Sequence, residues 1–385
     1  MEFEEIILNY KHKVAGKYLP VRSDLIRKRV FEMDKYYVST KIDGNICFID
    51  KTNDSVSIVS HNNKSFKRLD LERECLEILK DNTGLFVGEI YLHDERKRTR
   101  SYDLKREIND DSSDIRIALF DVLKFNDKDF NENEWNEKKK LLNNNFKSEG
   151  KIYYLKEFEL SSRKNIEEYF NDNIIDSNEE GLIVRGENGP VFKIKQYHSF
   201  DMVVLGYVNG HSNNFSLLKE ILVGVMTEQN HFLCTGIVVN GFDLELREKL
   251  SKEFEKIKID SDSLIVSNSK LPFTMINPQI IVEIESTDII NSTTLGFIKR
   301  PLIDFNKTYN FQKNTNSISL TAPVFKRIRV DQKVNIEDIG LNQITRVIDI
   351  PCEVNKDLKK FEPELLKKAV YTKLMKGNTN VKKFL

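Results

Sequence analysis

The 385-residue chain has no apolar run of the roughly 18 residues that a membrane-spanning helix takes. Its first residues, MEFEEIILNYKHK, put acids where a secretory signal needs a basic region, and no apolar segment follows. No membrane partner is expected. Cysteine is scarce: Cys47, Cys75, Cys234 and Cys352 are scattered and form no CxxC pair. That argues against a zinc ribbon or a disulfide framework and fits a reducing, cytoplasmic setting. The six histidines show no metal-ligand spacing, and there is no repeat at solenoid periods. Net charge is absent as well, with 60 basic against 60 acidic residues. This balance neither requires nor excludes a polyanionic partner, because a basic groove can be offset by acidic surface elsewhere.

What remains, 39% hydrophobic and 31% charged residues, is the composition of a soluble folded chain with room for two or three domains. The spacing of Leu25, Ile26, Val30 and Phe31 predicts a helix over 23–33 with Ser23 as its cap. Strands are predicted at 36–40, 45–49, 55–60, 84–92, 115–123, 181–185 and 190–195, and helices at 66–80, 134–146 and 163–170. This mixture predicts an α+β domain over 1–198, with a linker near 197–201. Beyond it, short strands split by polar turns, with one helix over 243–256, predict a small β-barrel within a second domain, 199–354. The last stretch, 355–385, carries nine lysines against three acids and reads as a basic tail able to form a short amphipathic helix.

The tetrapeptide Lys41-Ile42-Asp43-Gly44 lies between two of these strands. By itself it is either a surface hairpin or a lysine nucleophile at a strand end. A free lysine is neutral to about one part in a thousand near pH 7.4, a penalty of roughly 4 kcal/mol. A nucleophilic lysine therefore needs burial or neighbouring cations. In Phe192-Lys193-Ile194-Lys195, period two puts both lysines on one face, either as a solvated edge or as a pair gripping a phosphate and depressing the Lys41 pKa. Glu180 enters a buried strand in EGLIVR, Glu89 sits within the apolar strand GLFVGEIYL, and Phe120-Asp121 is expected to end a third strand. Arg96, Lys97, Arg98 and Arg100 form either a solvated loop or a contact to a phosphate backbone. Trp135 reads as a helix-packing residue.

The order KIDG (41–44), GEIY (88–91), LFDV (119–122), EGLIVR (180–185) and FKIK (192–195) resembles that of the covalent nucleotidyltransferases: ATP-dependent DNA ligases, RNA ligases and mRNA capping enzymes. DMVVLGYV, ILVGVM, CTGIVVNGF and NPQIIVEIES look like the oligonucleotide-binding barrel of the DNA ligases. Arg329-Val330-Asp331-Gln332 looks like the family's last motif. The resemblance covers roughly 36–332. It implies an ATP-grasp-like nucleotidyltransferase domain of antiparallel sheets with flanking helices, followed by an OB-fold barrel.

It also implies a three-step reaction. Lys41 attacks the α-phosphate of ATP and releases pyrophosphate, AMP passes from the lysine to the 5′-phosphate of a nick, and the 3′-hydroxyl displaces AMP. In that scheme Thr40, Ile42 and Asp43 flank the nucleotide and Glu89 binds the ribose. Phe120 stacks on adenine. Glu180, with Glu89, ligates Mg²⁺ or Mn²⁺. Lys193 and Lys195 neutralise the α-phosphate, and Arg329 and Asp331 orient the pyrophosphate. The implied partner is nicked duplex DNA, RNA not being excluded, served by a monomeric, DNA-associated protein. An RNA ligase and a GTP-dependent capping enzyme share the motif series, and a nick-binding protein without catalysis is the reading from another class. Four positions depart from the pattern. Ile46 stands where many DNA ligases have Arg, Ser39 where an acid is often found two before the lysine, and Asn62-Asn63-Lys64 where an Arg-containing contact is usual. Gln332 replaces the usual Lys.

Overall fold

The apolar runs of YYVST and GLIVR and the alternating VFKIK build the sheet that carries Thr40, Lys193 and Lys195. The computed structural model describes residues 3–350, apart from 96–97, 132–133, 148–149, 176, 178, 187–188, 213–214, 263 and 268. The basic tail expected over 355–385, Cys352, Arg96 and Lys97 lie outside the described residues. The chain divides into two units, one of residues 1–198 with 292–296 and one of 199–291 with 297 onward.

In chain order the first unit holds α1 (Phe3–Lys13), β1 (Leu19–Arg22), α2 (Ile26–Arg29), β2 (Tyr36–Thr40), β3 (Asn45–Lys51), β4 (Val56–Ser60), α3 (Leu69–Leu79), β5 (Gly84–Leu92) and α4 (Ser101–Glu107). It continues with β6 (Ile115–Phe125), β7 (Lys128–Asp129), α5 (Trp135–Asn145), β8 (Ile152–Tyr154), β9 (Phe158–Leu160), α6 (Arg163–Phe170), β10 (Gly181–Arg185) and β11 (Val191–Lys195). One sheet has the order β1-β11-β10-β2-β9. Its pairs are antiparallel except for β1 with β11. Val38, Leu182, Val184, Phe192 and Ile194 face its core, where Ile166 and Phe170 of α6 join them. Each such side chain contributes roughly 1.5–3 kcal/mol by leaving water. Period two then sends Ser39, Ile183, Arg185, Lys193 and Lys195 to the opposite face. The register sets Ile183 between Ser39 and Lys193, and Gly181 opposite Lys195.

The second sheet of this unit has the order β4-β3-β5-β6-β7, with β8 paired to β6. Leu71, Cys75 and Leu79 of α3 and Leu142 of α5 pack with Cys47, Ile49, Phe86 and Ile90. Ile7 and Tyr10 of α1, a helix not anticipated in the sequence, pack with Phe48, Val59 and Val87.

The helix expected over 23–33 is shorter. A 3-10 turn at Ser23–Leu25 leads into α2, no side chain caps either, and Val30 is already extended. The Tyr36 hydroxyl accepts from the Met33 N–H and donates to the Phe31 carbonyl, which holds 31–33 away from helical geometry. β6 also runs past the expected end. Asp121 therefore lies inside it, buried, accepting from the Tyr10 hydroxyl at 2.6 Å and from Lys138 Nζ at 2.9 Å.

The second unit contains β12 (His198–Ser212), β13 (Phe215–Glu228), β14 (His231–Val238), α7 (Leu244–Lys256), β15 (Thr274–Met275) and β16 (Ile281–Ser286). Asp243 caps α7 by accepting from the Leu246 N–H. Eight strands form one sheet, in the order 308–316, 299–306, β14, β13, β12, β16, 324–328, with β15 on β12. Register shifts at Val204/Gly206 and Val208/Asn209 mark bulges between β12 and β13, which bend and twist long strands. The hairpin of 299–306 and 308–316, which no sequence signal predicted, pairs with β14. At the other end of the order, Val324 makes a parallel bridge to Asn240, just beyond β14, and the Phe325 N–H donates to the Asn240 carbonyl at 2.9 Å. No helix among the described residues is long and apolar enough to cross a membrane.

Candidate active site

Lys41 follows directly on the last residue of β2, and the turn to β3 is set by close backbone packing. A Cβ at Gly44 would lie 2.2 Å from the Ile90 carbonyl oxygen, and one at Gly181 would lie 2.0 Å from that of Ile194. Only glycine fits at either place. The Lys41 N–H donates to the Gly181 carbonyl at 2.8 Å, so KIDG and the start of β10 are pinned together. Glu180, the residue before, then bridges two lysines: its Oε2 is 2.5 Å from Lys41 Nζ and its Oε1 is 2.5 Å from Lys195 Nζ. Lys193 Nζ donates instead to the Ala15 carbonyl at 3.3 Å. Asp43 is held by Arg98, whose Nη2 lies 2.6 Å from Oδ2 and whose side chain is buried. Arg98 thus belongs to the site and not to a solvated loop.

These pairs reverse one expectation. Burial disfavours the Lys41 ammonium, but the carboxylate of Glu180, with Glu89 and Asp43 behind it, more than offsets this and holds its pKa above that of an ordinary lysine. The cations of FKIK thus do not lower the Lys41 pKa as expected, the carboxylates beside it outweighing them. Burial works against the Glu180 carboxylate too, yet Lys41 and Lys195 keep its pKa below the ordinary value. Lys193 is the lysine whose pKa falls, through burial and then through Lys41 and Lys195.

Glu89 is pushed up to about 8, chiefly by burial and against the pull of Lys41, with Glu180 and Asp43 adding like charge. The folded protein therefore binds this proton more tightly than the unfolded chain does. The stability it contributes is fully present below the unfolded value near 4.5 and is lost as pH rises towards 8. Glu89→Gln should flatten the fall of the thermal midpoint over that window. A midpoint-pH curve identical to wild type would contradict the assignment.

A cleft of about 200 Å³ opens between the two sheets of the first unit. Thr40, Lys41, Ile42, Glu89, Phe120 and Lys193 line it, so six of the candidate residues share one cavity. Asp43, Glu180 and Lys195 join it through the ion pairs above. Tyr18, Trp135, Tyr154, Glu157 and Arg185 line it too and were not anticipated there. Trp135 opens α5, but its ring lies under Arg185, the guanidinium carbon 3.8 Å from the ring centre, so it is more than a packing residue. Glu157 stands in YYLKEFEL, where nothing in the spacing separates it from its neighbours.

Arg329 and Asp331 belong to the second unit. Asp331 receives the Arg329 Nε at 3.0 Å and Nη2 at 2.8 Å, while Asp201 receives Nη1 at 2.7 and 2.6 Å. Two carboxylates hold the guanidinium, the forked geometry in which such pairs are strongest. Among the described residues no cluster of three or more His, Cys, Asp or Glu forms a ready metal site.

Residues 18–201 match the family model of the ATP dependent DNA ligase domain, and residues 215–332 match that of the ATP dependent DNA ligase C terminal region. A DNA ligase of Thermoplasma volcanium is 25% identical over 239 residues, 56% of this chain and 40% of that protein. One from Sulfurisphaera tokodaii is 25% identical over 282 residues, 66% of this chain and 47% of that protein. The chain thus spans less than half the length of these relatives. The solved structure described as "Pmar-Lig_Pre." shares the fold at 17% identity and a TM-score of 0.51, over 85% of this chain and 72% of that one.

Proposed function

Because the chain belongs to the ATP-dependent DNA ligase family, we propose that it seals 3′-hydroxyl/5′-phosphate nicks in duplex DNA through a lysyl-AMP and a DNA-adenylate. The observation that carries this reading is the placement of Lys41, at a strand end, in a cleft with Lys193 and on a carboxylate it shares with Lys195. In the free protein Glu180 keeps Lys41 protonated. Triphosphate oxygens entering the cleft meet Lys193 and Lys195 and compete with Glu180 for the ammonium groups. Once Lys41 has passed its proton to solvent, its Nζ lone pair forms the N–P bond as the bond from the α-phosphorus to the bridging oxygen breaks and pyrophosphate leaves with that electron pair. The 5′-phosphate at the nick then takes AMP from the lysine, and the 3′-hydroxyl displaces AMP. Such transfers depend on positioning and charge neutralisation, which Lys193 and Lys195 supply at the α-phosphate.

The like-charge field that raises Glu89 suits a cation. Glu89 and Glu180 would hold Mg²⁺ or Mn²⁺ together with phosphate oxygens, the usual mode for Mg²⁺, and the ion would neutralise phosphate charge. Thr40, Ile42 and Asp43 flank the nucleotide and Phe120 offers its ring to the base. Arg329 and Asp331 act on the departing pyrophosphate when the second unit closes over ATP. The protein acts as a DNA-associated monomer.

The test is incubation with labelled ATP or GTP, followed by nicked duplexes whose broken strand is DNA or RNA. Label transfer from ATP to protein and then sealing of the DNA nick is expected. Sealing confined to the RNA nick, labelling from GTP alone, or nick binding without labelling would each replace this reading.

A further inference from the structure

The cleft contains polar groups that phosphate transfer does not use. The Glu157 side chain is 4% exposed, yet its Oε2 has no aligned hydrogen bond, its nearest cation being Lys139 Nζ at 3.5 Å. Its Oε1 lies 3.2 Å from Arg185 Nε, which is also without an aligned bond. A buried polar atom left so costs about 1–3 kcal/mol. Arg185 rests on the Trp135 ring and is fixed in place by it. Both ends of this pair line the cavity that Lys41 and Phe120 line.

Register explains how the carboxylate comes there. β2 and β9 pair Tyr37 with Glu159 and Val38 with Phe158. Continued by one residue, that register sets Glu157 beside Ser39, two residues before Lys41 on the same face. Strand rise and spacing then put the Cα atoms of Glu157 and Lys41 about 8 Å apart, and both residues line the same cleft.

Resting on the nucleotide-transfer reading, we infer that Glu157 accepts a hydrogen bond from the 6-amino group of adenine, with Arg185 as its positioning residue, and so makes the cleft choose ATP over GTP. An ionised carboxylate has acceptors only, and adenine offers it an N–H at position 6. Guanine in the same pose offers a carbonyl oxygen, so two acceptors would face each other.

The test uses the full chain and measures protein labelling from ATP, GTP and purine riboside triphosphate, which has no 6-amino group. Wild type should favour ATP over the purine analogue by roughly tenfold or more, the scale of a hydrogen bond to a charged group. Glu157→Ala should bring that ratio close to one, whatever happens to the absolute rate. Glu157→Gln, which keeps the size and adds an N–H donor, should narrow the preference for ATP over GTP. Ratios unchanged from wild type in both variants would overturn the assignment and leave Glu157 as a neutraliser of Arg185 and Lys139. A wild-type chain labelled by none of the three would overturn the ligase reading itself.

Discussion

Lys41→Ala should take up no AMP, where the wild-type chain incubated with ATP and Mg²⁺ gains one. The Lys41 nitrogen is the only protein atom of the scheme that bonds to phosphorus, so its removal leaves no partial activity for neighbours to restore. Lys41→Arg should fail as completely, because a guanidinium stays protonated and offers no lone pair. Intact mass reads both variants directly. The wild-type rate should rise nearly tenfold per pH unit while the amine remains mostly protonated, since Glu180 holds its pKa above that of a free lysine. Glu180→Gln should lower that pKa in the nucleotide-free protein, measured as the pH dependence of amine modification at Lys41. Undiminished AMP addition to Lys41→Ala would place the nucleophile elsewhere.

Arg329→Ala should lose self-adenylylation by roughly 10²–10³-fold, the scale of removing one preorganised group from a developing charge, and should still seal a nick that already bears a 5′-adenylate. Pyrophosphate departs only in the first step, so a residue serving that departure is dispensable afterwards. Lys193→Ala should impair both assays, because Lys193 lines the cleft and is expected at the α-phosphate throughout. The measurement is a pair of single-turnover rates, one from ATP and one from adenylated DNA. Normal adenylylation by Arg329→Ala would show that the RIRVDQ segment is not the closing element. Asp201 and Asp331 hold Arg329 firmly, so the same variant leaves Asp201 half-buried without its cation. A thermal melt should accompany the kinetics to separate that loss from the catalytic one.

Short apolar runs between turn residues make β2 and β10 legible in the sequence, and period-two alternation does so for β11. A strand's side-chain direction depends only on its own residues, and that is why Lys193 and Lys195 could be placed on one face. The motif order likewise located Lys41, Glu89, Phe120 and Glu180, and the structure brings these together around one cleft. What the sequence did not carry was pairing across distance. Glu180 lies 139 residues from Lys41, and nothing local says that its carboxylate, and not the cations of FKIK, decides the Lys41 proton. Arg98 reached Asp43 from a loop that read equally well as solvent-facing. Glu157 gained its place only through the register of β9 against β2, a relation between two short strands far apart in the chain. The place of the hairpin 299–316 on β14 was also a tertiary outcome, because its strands carried no signal of their own and are fixed by pairing. Local geometry thus determined which side chains share a face, and long-range packing decided which charges meet.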